Sequence, residues 1–523
     1  MCERSGLAAP SRPSVWSTLA FSLALLTIAL ISIGCTRSRP DPHTIVMLIE
    51  SSPANLDPRI GTDAFSERID ELLFDSLVRK DEHFVLHPWV AESWEVPNPL
   101  TYVFHLRPDV HFHDGRPVTA KDVKWSLDSM MNGTVISSKS ATYQHIGSIE
   151  APDDYTVVFH LKEPDSGLLW NLSDGAMGIV PYGSDSHFNL HPIGSGPFKF
   201  VRNVQDDEVV VVRNDDYWAD KPRVERVRFA VVPDATTRAL ELRKGSADID
   251  INSLSADMVG SLRRDPALRI EQEPGTPVQY LGFNLRDPVL SDVRVRQAIA
   301  YAIDTQPIIE YLWRDTVRQA TSVLPPQHWA FDSNLQPYPH DPGKARALLK
   351  QAGYSFEPGK RLHLIMKTSD QETSRLLAVI LQQQLHDVGV DLELRTFEFA
   401  TFYSDVVKGA FQIYTLRWVG GSNQDPEIFE YIYDSKSFAP RRANRSYYSN
   451  PEVDKLIEEG RSELDQQKRK AIYAQIQQIT MRDLPTLNLW YFDNVVVHSA
   501  RVRNVRPEPA GNYDFLREAE IVQ

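Results

Sequence analysis

His111 and His113, in the run His111-Phe-His113-Asp114-Gly115, are the one place where this chain spaces side chains as a metal site would. Two histidines at i, i+2 on a strand project to the same face and can reach one ion. A metal-dependent hydrolase would also need His and Asp ligands further downstream. The alternative is a strand that ends in an Asp-Gly turn, with both histidines on its polar face. Other catalytic patterns are missing from the sequence: it contains no GxSxG, no HExxH and no Cys/His pair. The nearest approach to a phosphate loop, Gly353-Tyr-Ser-Phe-Glu-Pro-Gly359-Lys360-Arg361, has the wrong glycine spacing. It also lacks a Ser or Thr after the lysine to hold Mg2+, so the chain is not expected to hydrolyse ATP. No cofactor is implied.

The elements that would position such residues are legible. Period-two alternation predicts strands at Thr44 to Ile49, Thr101 to Leu106, Thr156 to Leu161, Val209 to Val212, Val224 to Val232 and Val495 to Val497. Asp292 can cap a helix with Val295, Ala298, Ile299 and Ala302 on one face. Asp341-Pro342 opens another, stopped by Gly353, and Asn450-Pro451 a third. A long amphipathic helix is expected from about Gln466 to Ile479. Arg294 and Arg296 read as a solvated or ion-paired helix face, and Trp94, Trp125 and Trp218 as packing residues. Strands and helices mix without strict alternation, which predicts an α/β or mixed α+β class with several sheets.

The chain has 523 residues, 42% apolar and 24% charged, with a formal net charge of −14. That length exceeds what one core organises, so two or three domains are expected. No Lys/Arg run points to nucleic acid. At the start, Arg4 and Arg12 precede an apolar run from about Leu19 to Ile33, and the small residues Ser32 and Gly34 lead into Cys35. This pattern reads as a secretion signal over 1–34. The only other cysteine is Cys2, so a mature chain starting at Cys35 has one thiol and no internal disulfide. A lipid on Cys35, with residues 35–42 as tether, accounts for it. An uncleaved signal anchor is the alternative, and either places the folded part outside the cytoplasm.

From Ala91 to Asn132 the chain carries Ala91, Ser93, Trp94, Tyr102, Phe104, Leu106, Arg107, Phe112, Asp114, Gly115, Thr119, Ala120, Asp122 and Val123. Downstream follow Ile193-Gly-Ser-Gly-Pro-Phe-Lys199, Arg213-Asn-Asp-Asp-Tyr-Trp218 and Gly245-Ser-Ala-Asp-Ile-Asp250. Next come Leu281-Gly-Phe-Asn284 with Asp292-Val-Arg-Val-Arg-Gln-Ala298, then Asp341-Pro342 and Asn450-Pro-Glu-Val-Asp454. In this order, over roughly residues 43–500, the chain resembles the family 5 solute-binding proteins, the peptide and nickel receptors of ABC importers. The resemblance implies a bilobal periplasmic-binding-protein fold with two hinge crossings, near Tyr280 and Trp490, and an extra inserted domain. The implied division is domain I over 43–80, 189–279 and 491–523, domain II over 81–188, and domain III over 280–490.

It also implies a monomer that captures a peptide-like solute between its lobes and hands it to ABC permease subunits with their ATPases. The membrane is reached through the N-terminal lipid. A non-peptide solute (an oligosaccharide, or a nickel or haem chelate) remains the alternative, with the hydrolase behind it. Peptide receptors of this family pair the ligand's amino group with an Asp shortly after a Trp. Here Trp418 and Asp425-Pro426 match, but Gly421 or Ser422 stands where that Asp would fall. The candidate ligand-binding residues are Trp418, Gly420, Gly421, Ser422, Asp425, Asn284, Tyr143 and Asn55, with no metal ligand and no catalytic residue.

Overall fold

Strands form where the alternation required them. Thr101–Leu106 and Thr156–Leu161 each bury every second residue, the pattern of a sheet with one solvated face. The computed structural model describes residues 41–173, 177–357, 359–419 and 426–522. Cys35 and the leader lie outside the described residues.

One sheet of eleven strands organises the body from His43 to Gln523. Two of its members are long, Leu268–Phe283 and Thr486–Ser499, and they pair antiparallel along most of their length. Their ladder breaks in the middle. Leu268 to Pro274 pairs with Ser499 to Asp493, Gly275 to Pro277 leaves the ladder, and pairing resumes at Val278 with Tyr491. Pro274 and Pro277 have no N–H to donate, and this is why the interruption falls here. The break lies just before Tyr280 on one strand and just past Trp490 on the other. Both residues are buried in the second lobe.

On one side of the break the sheet continues through Ile249–Ile251, Thr44–Ile49, Arg226–Val231, Glu208–Arg213 and Phe198–Val204. Its core joins Ile45, Met47, Phe198 and Phe229 to Ile69 and Leu72 of the helix Ala64–Leu73. On the other side it continues through Ile413–Trp418, Leu362–Ser369 and Val390–Phe397. That lobe is packed by the helices Val293–Ala302, Pro342–Gln351 and Glu372–His386. A separate four-stranded antiparallel sheet, in the order Ala91–Asn98, Thr101–Leu106, Thr156–Leu161, Ile146–Glu150, closes on the helix Ala120–Met131 with its own core. The chain is a bilobal α/β protein with two crossings and an inserted third region. Among the described residues no helix is long and apolar enough to cross a membrane.

Local signals hold at the helix starts. The carboxylate of Asp292 accepts the Arg294 N–H at 2.9 Å, Asp341 accepts that of Lys344 at 2.8 Å, and Asn450 accepts that of Glu452 at 3.0 Å. Gly353 ends its helix at φ +95°, a conformation that favours glycine. Arg296 corrects the solvated-face reading. It is buried, and its guanidinium donates to the carbonyls of Leu290, Ser291, Asp483 and Leu484, tying the helix to the end of Gln466–Asp483. Of the tryptophans, Trp218 Nε1 donates to the buried Asp75 at 3.1 Å. Trp89 Nε1 at 2.8 Å and Tyr217 OH at 2.9 Å share the same carboxylate.

Candidate functional site

Where the two lobes face each other across the broken ladder lies a cavity of about 790 Å3. That is the size of a small-molecule site, for which 300–1,000 Å3 is the usual range. The first lobe lines it with Thr62, Glu67, Arg68 and Glu71, the last three on the helix Ala64–Leu73, and with Asn252, Leu254 and Ser255. The hinge supplies Thr276, Pro277, Phe492 and Asp493, and the second lobe Trp313, Glu372, Leu376, Arg417 and Val419. A second cavity of about 530 Å3 shares Thr62 and Glu67 with the first, and adds Lys139, Tyr143, His145, Glu427 and Tyr431. The two are neighbouring parts of one cleft.

The strand Ile413–Trp418 enters this cleft in an unexpected way. Trp418, expected as a pocket wall, lines neither cavity. Its ring stacks on Tyr280 at 5.6 Å with 10° between planes, and the Arg445 guanidinium lies 4.8 Å from its centre. Arg445 is itself held by the hydroxyls of Tyr280 and Tyr403, each at 3.1 Å. Successive residues of a strand point to opposite faces, so with Trp418 turned to the aromatic side, Arg417 and Val419 are the residues that face the cavity. Trp418 still supports the cleft indirectly, through a 6.3 Å edge contact with Tyr431.

Asn284 is not on the cleft surface. Its amide donates to the carbonyls of Gly409 at 3.2 Å and Phe411 at 2.9 Å, and its oxygen accepts the Arg286 N–H at 3.1 Å, which uses its capacity within a turn. Asn55 lines neither cavity. Its side-chain oxygen accepts the Asp57 N–H at 2.9 Å and shapes the loop that leads to Thr62. Tyr143 does line the second cavity, with its hydroxyl donating to the Asn171 carbonyl at 3.0 Å. Gly420, Gly421, Ser422 and Asp425 lie outside the described residues. The lining residues that sequence reasoning missed (Thr62, Glu67, Arg68, Glu71, Arg417) carry no motif. The signal available was the helical spacing of Glu67 and Glu71 after the Asp63 cap.

The His111/His113 pair is separated by the fold. His111 is exposed, with Nδ1 2.9 Å from the Asp109 carbonyl. His113 turns inward, where its Nδ1 accepts the Gly194 N–H at 3.2 Å and its Nε2 donates to the Gly196 carbonyl at 3.1 Å. Both ring nitrogens are spent on backbone, and no lone pair remains for an ion. Among the described residues no group of three or more His, Cys, Asp or Glu is placed to hold a metal. Burial pushes the His113 pKa down to about 4, against an ordinary value near 6.5. A base depressed by folding contributes stability that is complete above about pH 6.5 and is lost as pH falls toward 4, because the unfolded chain binds the extra proton. The expected slope is about 1 kcal/mol per pH unit in that window. A melting-temperature series of the wild type against His113→Gln reads it, and NMR titration of the imidazole locates the proton.

The comparisons with known proteins agree with this architecture. The family model described as bacterial extracellular solute-binding proteins, family 5 Middle, matches residues 85–440. The dipeptide-binding protein of Escherichia coli is 28% identical over 94% of this chain and 95% of its own length. Heme-binding protein A of Haemophilus influenzae is 27% identical over 90% and 91%. Among solved structures, NikZ from Campylobacter jejuni in complex with Ni(L-His) superposes with a TM-score of 0.76, at 26% identity, covering 92% of this chain and all of that one. DppA from Helicobacter pylori in complex with peptide STSA does so with a TM-score of 0.73, at 26% identity, covering 92% and 98%. A cleft between two lobes joined by two crossings, the family match over most of the chain and relatives aligned nearly end to end lead to one assignment: this chain belongs to the bacterial extracellular solute-binding proteins of family 5.

Proposed function

We propose that the protein captures a peptide-like solute in the interlobe cleft and presents it unaltered to the permease of an ABC importer. The observation that carries this reading is a strand edge. On one side Ile413–Trp418 pairs with Leu268–Phe283 along its whole length. On the other, the ladder with Leu362–Ser369 covers only Ile413 and Tyr414. Among the described residues no strand pairs with the remaining edge from Thr415 to Trp418, and the next residue, Val419, lines the larger cavity together with Arg417. An extended ligand can add to such an edge through main-chain hydrogen bonds, which hold any peptide irrespective of its side chains. A solute touching both lobes favours their closure by its differential affinity, and closure is what a membrane partner can read.

The protein works as a monomer outside the cytoplasm, held to the membrane by a lipid on Cys35 after removal of residues 1–34. No bond is made or broken in its cleft. The chain divides into a first lobe of 43–80, 189–279 and 491–523, an inserted region of 81–188 and a second lobe of 280–490.

The test is mass spectrometry of material co-purifying with the recombinant chain, followed by thermal-shift screening. A ligand that binds only the folded form raises the melting temperature with concentration. Di- to pentapeptides are expected to raise it. If a nickel–histidine complex, haem or an oligosaccharide raises it while every peptide fails, the peptide reading is wrong.

A further inference from the structure

The larger cavity holds an arginine, Arg417, with no ion-pair or hydrogen-bond partner among the described residues. Arg417 reaches the larger cavity from the second lobe. The arginines around it are engaged. Arg318 pairs with Asp493 at 2.6 Å, Arg314 with Asp257 at 3.1 Å, Arg442 with Glu430, and Arg445 bonds two tyrosine hydroxyls. Arg68 lies over the Tyr513 ring, with a hydrogen bond between them. Among the described residues Arg417 has neither a carboxylate partner nor a hydrogen-bond acceptor. Its one close contact is aromatic, with the guanidinium 3.3 Å from the centre of the Phe492 ring. Phe492 is fixed in turn by the edge of Trp313, at 4.9 Å and 88°.

This is a prepared donor. A guanidinium lying on an aromatic face keeps the N–H groups at its rim directed outward, and stacking removes rotamer freedom before a ligand arrives. The side chain is open to the cavity, so water reaches it, yet the enclosing protein is dense enough for burial to pull its pKa down to about 10. It remains a cation at neutral pH. A cation in that setting, without a counter-ion among the described residues, is stabilised by an anion that brings two oxygens to the rim, as a carboxylate does.

We infer that Arg417, seated on Phe492, is the docking point for the carboxylate of the captured solute, so that the protein selects ligands with a free acid end. The rest of the lining sets the ligand's overall charge. Glu67, Glu71 and Glu372 line the same cavity against Arg68 and Arg417, while Asp257 and Asp493, also in the lining, are balanced by Arg314 and Arg318. That surplus of acid disfavours a dianion such as a phosphate ester, and favours a zwitterion whose cationic part meets the acidic residues. Glu67 and Glu71 come from the opposite lobe, so a ligand spanning Arg417 and that helix face bridges the cleft. This inference builds on the proposed function, but it concerns the charge of the solute rather than its class.

The experiment uses the full mature chain as wild type, Arg417→Gln and Arg417→Lys, with matched pairs of probes. These are Ala-Ala and Ala-Ala-Ala as free acids and as C-terminal amides, and the nickel–histidine complex against the histidinamide complex. Inorganic phosphate serves as a further anion. For the wild type the acid member of a pair is expected to bind at least tenfold tighter than the amide, the scale of a lost hydrogen bond to a charged group. Arg417→Gln is expected to erase that ratio and Arg417→Lys to keep part of it, since an ammonium supplies charge without the fork. Unliganded melting temperatures should stay close to wild type, because no ion pair or hydrogen bond among the described residues is lost and only the contact with the Phe492 ring goes. Peptides that bind the wild type equally as acid and amide would overturn the role of Arg417 and leave the peptide reading standing. If only the nickel–histidine acid shows the ratio, and loses it in Arg417→Gln, the role stands and the peptide reading falls. If no acid in the panel outbinds its amide, or if phosphate binds in preference to them, the inference is overturned.

Discussion

Arg59→Ala is expected to destabilise the protein by about 3–5 kcal/mol, the cost of leaving one partner of a buried ion pair uncompensated. Arg59 and Asp57 have fully buried side chains. The guanidinium grips both Asp57 oxygens, through Nε at 2.9 Å and Nη2 at 2.7 Å. It also donates to the Ser129 hydroxyl at 3.2 Å and to the carbonyls of Ser184 at 3.1 Å and Asp185 at 3.2 Å. One side chain thus ties the loop before the helix Ala64–Leu73 to two segments far along the chain. Removing it strands the Asp57 carboxylate and three further acceptors in a dry interior. With total stability in the range of about 5–15 kcal/mol, such a loss is visible as a large drop in the denaturation midpoint. Asp57→Leu combined with Arg59→Met should recover part of it, since no orphaned charge remains. A double-mutant cycle in denaturant measures the coupling. The loop leads into Thr62, so ligand binding should weaken in Arg59→Ala even at temperatures where it is folded. An unchanged midpoint for Arg59→Ala would mean that this clamp is dispensable.

Gly194→Ala is the second large effect expected, at about 3 kcal/mol or more. The run Ile193-Gly-Ser-Gly-Pro-Phe-Lys199 passes directly over the end of the helix Ala64–Leu73. A Cβ on Gly194 would lie 1.8 Å from the Leu73 carbonyl oxygen and 2.9 Å from Phe74 Cδ1. One on Gly196 would lie 2.6 Å from the Leu73 carbonyl carbon. The closeness is used: Gly196 N–H donates to the Leu73 carbonyl at 2.9 Å and His113 N–H to the Gly194 carbonyl at 2.7 Å. Backbone cannot yield as a flexible side chain can, so the methyl must push the two segments apart. Overpacking of this kind costs about 1–3 kcal/mol and more where relaxation is blocked. The helix displaced is the one that carries Glu67, Arg68 and Glu71 into the cleft, so binding should fall with stability. Gly260→Ala is the control. It sits in the helix Ala256–Leu262, where an added methyl would meet nothing within 4 Å, and should be neutral or stabilising by about 0.5–1 kcal/mol. Equal melting temperatures for Gly194→Ala and Gly260→Ala would refute the packing argument.

The sequence by itself determined what depends on neighbours a few residues away. Strands such as Thr44–Ile49, Thr101–Leu106 and Thr156–Leu161 followed from alternation, and the caps at Asp292, Asp341 and Asn450 from side chains that bond N–H groups two or three residues on. The bilobal class with two crossings was legible through ordered family motifs. Tertiary structure decided the rest, because the deciding partners are distant in the chain. Alternation states that Trp418 and Arg417 face opposite ways, but not which of them faces the ligand. The answer came from Tyr280 and Arg445 claiming the tryptophan. Asn284 has the composition of a binding residue, yet Gly409 and Phe411, more than a hundred positions later, had already taken its amide. The long crossing strand Leu268–Phe283 was hidden by its own prolines, whose ring and missing N–H argue against a strand locally while marking the hinge globally. Charge pairing is likewise non-local: only the folded chain shows that Arg318, Arg314 and Arg445 are occupied and that Arg417 is left to face the cleft.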